Sequence, residues 1–240
     1  MGTIPMKLKE RKEVANGTMA FLLEKPEGFD FQAGQAMEVK LENPPETDAE
    51  GNSRAFSIAS APYEPHVMFA TRMRDTAMKN SLKKIPLGTE LQVDGPWGDL
   101  KLHTRATRRG VFLAGGIGIT PFRSIVLDAA KNKLAHRLWL FYSNRRPEDA
   151  AFLEELGRAE KENPNFKMIA TMTEMEKSSR PWQGKTGFVD KKMLTEAIGD
   201  LNAPIYYIAG PGAMLNAMKK MLLEAGVHED DIRAEEFAGY

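Results

Sequence analysis

The sequence predicts a β plus α/β fold in two parts: antiparallel strands forming a barrel or sandwich over residues 1–104, then a parallel sheet with helices on both faces over residues 105–240. Three observations predict it. The first hundred residues are dominated by short apolar stretches separated by turn formers. After the basic run Arg105-Ala106-Thr107-Arg108-Arg109 the texture changes to apolar strands alternating with longer amphipathic helices. Glycine-rich stretches at 115–118 and 210–212 each end a predicted strand and open a helix. A chain of 240 residues has room for one large or two modest units with real cores.

In the first part, strands are expected at 18–23, 36–41, 55–59, 67–73 and 90–94, bounded by turn formers such as Pro26-Glu27-Gly28, Asn43-Pro44-Pro45 and Gly95-Pro96. One helix interrupts them over 77–85, where Met78, Leu82 and Ile85 share a face and Pro86 ends the run. In the second part, strands are expected at 111–114, 137–142, 166–171 and 205–209, with helices over 121–132, 148–161 and 213–225. The polar stretch 174–184, containing Ser178-Ser179-Arg180-Pro181, is expected to be flexible.

Composition removes several functions. With 33 basic and 33 acidic residues the chain lacks the surplus charge that nucleic-acid binding draws on. The absence of cysteine excludes disulfides, thiol nucleophiles and a cysteine-held iron–sulfur cluster within this chain. His66, His103, His136 and His228 have no ligand spacing, so no metal is expected. The first residues lack the apolar core of a signal peptide, and no apolar run reaches membrane-spanning length; a cytoplasmic protein with no membrane insertion is expected.

The chemistry points to nucleotides. Strand 111–114 runs into Gly115, Gly116, Ile117 and Gly118, and Thr120 and Pro121 open the next helix. Glycines there let the backbone approach an anion, and the helix N-terminus supplies partial positive charge. Pro121 replaces the third glycine of the usual dinucleotide fingerprint, so a turn with no bound nucleotide is also compatible with these residues. A second turn, Gly210, Pro211, Gly212 and Met214, follows strand 205–209; Met214 also begins the stripe Leu215, Met218, Met221 and Leu222, which suits a core face. Ser143, Asn144 and Arg145 offer groups suited to an adenosine ribose or its 2′-phosphate, or form a solvated loop.

Five ordered elements now span nearly the whole chain: Arg54-Ala55-Phe56-Ser57, Gly95-Pro96-Trp97-Gly98, Gly115 through Pro121, Gly210 through Met214, and Glu235-Glu236-Phe237. In this order they resemble the ferredoxin–NADP reductase superfamily. The resemblance implies a six-stranded antiparallel FAD-binding barrel followed by a parallel-sheet NAD(P)-binding domain. It implies that Arg54 neutralises the FAD pyrophosphate, Phe56 packs on the flavin and Ser57 bonds near flavin N5, with Ala55 also among the cofactor-binding residues. Alternation along a strand puts Arg54 and Phe56 on one side and Ser57 on the other, unless the strand bends around the ring.

By the same resemblance, Phe69, Ala70 and Thr71 line the cofactor, and the N–H groups of Ala77, Met78 and Lys79 bind its pyrophosphate. Thr120 falls where nicotinamide and flavin meet, Glu235 near the nicotinamide, and Phe237 after it. Ser57, Thr120 and Glu235 are thus the catalytic candidates, and Tyr240 is a candidate shield of the flavin face. Two departures from the pattern are Phe56, where the family commonly has Tyr, and Thr76-Ala77-Met78, where it often has Gly and a small hydroxyl residue.

The implied activity is hydride transfer from NAD(P)H to FAD and onward electron delivery to a separate acceptor, such as ferredoxin, flavodoxin, a cytochrome or an oxygenase component. Lacking cysteine, the chain reads as a stand-alone member without an iron–sulfur domain, with a redox acceptor protein as partner. Small acceptors (free flavin, quinone, ferric complexes) and a noncatalytic flavin- or nucleotide-binding subunit of a larger complex are the alternatives. Arg145 and Arg146 suit NADPH, whereas Glu174 would repel a 2′-phosphate; the balance favours NADH slightly.

Overall fold

The computed structural model describes residues 2–237. Six antiparallel strands, β1 (Ile4–Ala15), β2 (Thr18–Glu24), β3 (Ala36–Leu41), β4 (Ser53–Ser57), β5 (His66–Arg72) and β6 (Glu90–Trp97), form a sheet in the order β4-β3-β6-β1-β2-β5. Past the end of β4, Ile58 N–H donates to Gln35 O at 2.8 Å and Ala59 N–H to Met68 O at 2.7 Å, drawing the two edges together. Helix α1 (Ala77–Lys84) turns Met78 and Leu82 into the core beside Phe21, Phe69, Met37 and Val93.

Strand β1 is absent from the sequence expectation because only Met6 and Leu8 of its twelve residues are buried; pairing with β2 and β6 holds the rest. β4 begins two residues earlier than expected, since Ser53 and Arg54 pair with Lys40 and Val39.

The second sheet is wholly parallel: β7 (Gly110–Gly115), β8 (Leu138–Asn144), β9 (Phe166–Met172), β10 (Lys185–Thr186), β11 (Ile205–Gly210) and β12 (Ile232–Glu236), in the order β10-β9-β8-β7-β11-β12. Every residue of β7 and β11 is buried, as in a parallel sheet covered on both faces. Phe122 and Ile125 of α2 (Thr120–Lys131) and Leu156 of α3 (Leu153–Glu162) pack with Phe112 and Leu140. On the other face, Leu194 of α4 (Lys191–Ile198) and Met218 and Leu222 of α5 (Gly212–Glu224) pack with Val111 and Leu113. Helix α4, which the sequence expectation lacked, is capped by the Asp190 carboxylate accepting Met193 N–H at 2.7 Å.

The single helix expected over 148–161 is instead a 3-10 turn, Pro147–Asp149, followed by α3. Between them Phe152 has φ 60°, a left-handed conformation that breaks the helix. The stretch 174–184 is irregular but anchored. Glu148 accepts Ser179 N–H at 3.0 Å and Ser178 Oγ–H at 2.9 Å, and these donors hold its carboxyl down at about 2.

One apolar cluster crosses between the sheets, joining Ala20, Leu22, Met68 and Ala70 to Phe122 and Ile125 of α2. Among the described residues no helix is long and apolar enough to cross a membrane, and no group of three or more His, Asp or Glu could hold a metal ion.

Candidate functional site

A cleft of about 350 Å³ opens where the antiparallel sheet meets the parallel one. Arg54, Ala55, Phe56 and Ser57 form one wall, Ala70, Thr71 and Arg72 the next, Met78 and Lys79 of α1 a third, and Ile117 and Phe237 close it from the other sheet. All four residues of the β4 motif reach the cleft, so the alternation that would separate Ser57 from Phe56 is overcome at the strand end. Phe56 stacks on Phe69 with centroids 4.5 Å apart, which fixes its ring at the cleft wall. The Ser57 Oγ is buried without a hydrogen-bond partner among the described residues, an orphaned polar atom at the cleft.

The end of the cleft by α1 is strongly basic. Arg54, Arg72, Arg74 and Lys79 converge there, and burial together with the charges of Arg74, Arg54 and Arg72 pushes the Lys79 ammonium below its ordinary value. Two carboxylates from the loop between β3 and β4 oppose them. Glu50 accepts from Arg54 Nη2 at 2.6 Å, Asp48 lies 3.7 Å from the same nitrogen, and the other Asp48 oxygen accepts Ala77 N–H at 3.2 Å at the start of α1. An arginine and a helix N-terminus thus share anionic partners, as they would share a diphosphate.

The glycine turns meet at the carboxyl edge of the parallel sheet. β8 lies on one side of β7 and β11 on the other, which makes the gap between β7 and β11 the point where the chain reverses its direction of growth. The turns are packed backbone against backbone. A Cβ on Gly118 would lie 2.2 Å from Ala209 O, and a Cβ on Gly210, at φ 153°, would lie 3.1 Å from the Gly115 backbone. Met214 Sδ covers Gly115, and Gly212 leaves room for the Glu236 carboxylate. A 3-10 turn, Gly116–Ile119, precedes α2, so Thr120 and Pro121 open the helix from a buried position.

Comparison with known proteins places this geometry. Residues 112–220 match the family described as oxidoreductase NAD-binding domain. The chain is 28% identical over 223 residues to the glycine betaine monooxygenase reductase subunit of Chromohalobacter salexigens, covering 92% of this chain and 60% of that protein. It is 26% identical over 231 residues to the phenol hydroxylase P5 protein of Acinetobacter pittii, covering 95% of this chain and 64% of that protein. The chain therefore spans about three fifths of the length of these relatives. A ferredoxin NADP+ reductase from Neisseria gonorrhoeae, solved with bound FAD and NADP, matches with a TM-score of 0.80 at 21% identity over 98% of this chain and 99% of that one. The chain has the fold of that reductase. The antiparallel sheet followed by the parallel one is the architecture the two share.

Within this fold several expected site residues take different places. Phe69 does not line the cleft; it is fully buried between Phe21 and Phe56, and its buried neighbours Ala70 and Thr71 line the cleft instead. Ala77 takes part through its N–H rather than its side chain. Thr120 is 1% exposed and its hydroxyl donates to Ile117 O at 3.0 Å, so it supports the turn from beneath while Ile117 faces the cleft. Glu235 lines a separate groove of about 620 Å³ with Trp97, Gly98, Asp99, Leu100, Lys101 and Arg233; burial pushes its carboxyl up.

At the sheet edge, Ser143 is half-buried, Arg145 exposed, and Asn144 buried with both amide atoms unpartnered among the described residues. Tyr240 lies outside the described residues. Sequence reasoning missed Arg74, Thr76 and Glu50 as cleft residues and Arg72 as one of its cations. The signal available was the spacing of Arg72, Arg74 and Lys79 around the start of α1.

Proposed function

We propose that this chain is an FAD-dependent NAD(P)H oxidoreductase that passes electrons to a separate acceptor protein, with residues 1–104 holding FAD and 105–240 holding NAD(P)H. The observation that carries the reading is the cleft itself, with an orphaned Ser57 hydroxyl at one end and converging cations at the other. After Asp48 and Glu50 offset two of the four cations, two remain for the two charges of a diphosphate. Residues of this kind fit a flavin dinucleotide.

Bound FAD supplies the hydride-accepting and single-electron chemistry. The chain's own residues bind, orient and exclude water. Ser57 Oγ donates a hydrogen bond at the flavin ring, Phe56 provides a flat apolar wall, and Ile117 and Phe237 shield the cleft from solvent. Arg54, Arg72, Arg74 and Lys79, with the N–H groups of Ala77, Met78 and Lys79, hold the diphosphate. Gly116 and the second glycine turn, with Ser143, Asn144 and Arg145, receive the pyridine nucleotide at the switch point.

NADH is the proposed donor. Arg146 is held by the Asp149 carboxylate at 2.8 and 2.9 Å, and Glu174 lies 3.5 Å from Arg145 and is kept ionised by the hydrogen bond from Lys177. A 2′-phosphate at Arg145 would meet that carboxylate. A protein acceptor is favoured because one relative is named as the reductase subunit of a monooxygenase.

The test is anaerobic reduction with NADH and NADPH in parallel. Purified protein is expected to be yellow and to be bleached faster by NADH. Colourless protein that neither binds nor responds to FAD would overturn the reading.

A further inference from the structure

We propose that Arg123 is a positioning residue that sets the separation of flavin and nicotinamide. The proposal rests on the reading above, in which the cleft holds the flavin and the glycine turns hold the nucleotide. Arg123 lies in the first turn of α2, three residues after Thr120, and its side chain is 5% exposed. Its five N–H donors meet five acceptors: Nε and Nη2 donate to Glu155 at 2.7 and 2.6 Å, Nη1 and Nη2 to Glu64 at 2.8 and 3.1 Å, and Nη1 to Ala59 O at 2.7 Å.

These acceptors come from both units. Ala59 and Glu64 belong to the segment that leaves β4 just after Ser57, whereas Glu155 belongs to α3. The neighbouring Ser124 hydroxyl donates to Ser60 O at 2.7 Å, adding a second tie on the same segment. The guanidinium also stacks 5.1 Å from the Phe152 ring, over the residue whose left-handed backbone starts α3.

A planar fork between two carboxylates and a carbonyl fixes distance and direction together, which the apolar contacts across the same boundary do not, since they tolerate sliding. The flavin-motif strand and the helix opened by Thr120 are thereby locked in one register. Hydride transfer depends steeply on such a register, because a displacement of about 1 Å costs on the order of 100-fold in rate.

The test uses R123K, which keeps the charge and loses the fork, and R123M/E64Q/E155Q, which removes the arginine without leaving half-buried carboxylates unpaired. Each is reconstituted with FAD. FAD content and NADH affinity are expected within about twofold of wild type, while anaerobic bleaching by NADH slows about 100-fold in the triple variant and less in R123K. In cofactor-free protein, backbone amides of residues 58–61 and of the first turn of α2 are expected to exchange faster with deuterium.

Wild-type bleaching and exchange in the triple variant would overturn the proposal. So would loss of FAD from both variants, which would assign the arginine to the flavin site itself. Wild-type protein that fails to bleach refutes the flavin reading instead. The exchange measurement then decides the clamp alone, unchanged exchange overturning it.

Discussion

Replacing Gly118 by alanine tests the idea that the two glycine turns are built around each other. The added Cβ would stand 2.2 Å from Ala209 O and 2.7 Å from Gly210 N, both backbone atoms that no rotamer change can move. Ordinary contact distances require one turn to retreat by about 1 Å. Overpacking of this kind costs about 1–3 kcal/mol. For a chain of this size that lowers the melting temperature by roughly 2–12 °C. Because the same shift moves the proposed nucleotide site relative to the cleft, flavin reduction should slow by up to about 100-fold.

The control is Gly157→Ala, in α3, where the new Cβ meets only Met168 Cε at 3.8 Å. Removing a helical glycine there should raise stability by about 0.5–1 kcal/mol. Differential scanning calorimetry and stopped-flow reduction by NADH report both effects. A G118A protein that melts and reacts like wild type, or a G157A protein destabilised as much as G118A, would refute the packing argument.

Three further outcomes are expected. Ser57→Ala should leave the urea stability of the cofactor-free protein unchanged or slightly higher, since an unpartnered buried hydroxyl is removed, yet slow flavin reduction about tenfold, one hydrogen bond's worth; equal reduction rates in stopped flow would count against a Ser57 contact. The pair D48N/E50Q should tighten FAD binding by about two- to tenfold in a fluorescence titration at low salt, because each exposed carboxylate now competes for Arg54 or the start of α1; weaker binding would mean the acids support the site.

His103, buried beside His136 and Tyr207, has its pKa lowered chiefly by burial, so the unfolded chain binds its proton more readily. Its contribution to stability is therefore complete above the unfolded value of about 6.5 and is lost as pH falls through the lowered folded value. Urea midpoints between neutral and acid pH should show this slope, and His103→Gln should flatten it.

The first sheet was legible from strands 18–23, 36–41, 67–73 and 90–94 because alternation and turn residues are local signals. β1 was not, since its sequence is mostly polar and only pairing on both sides makes it a strand. β12 and α4 were missed for a related reason: both are short and half-exposed, and neighbours rather than periodicity define them. In the site, the motif Arg54 to Ser57, the wall residues Ala70, Thr71, Met78 and Lys79, and the closing pair Ile117 and Phe237 were all named from sequence and all line one cleft.

What the sequence by itself determined was the order of the two sheets, the two glycine turns and the flavin-type motif. Each depends on residues within a few positions of one another. Tertiary structure alone decided which groups meet. It set Gly118 against Ala209 and Gly210 against Gly115, gathered Arg72 and Arg74 beside Arg54, turned Thr120 beneath the cleft, and gave Glu235 to another groove. It also joined Arg123 to Ala59, Glu64 and Glu155. Apart from the Thr120 contact within its own turn, these pairings are far apart along the chain and are created by strand order and register, so no local pattern in the sequence encodes them.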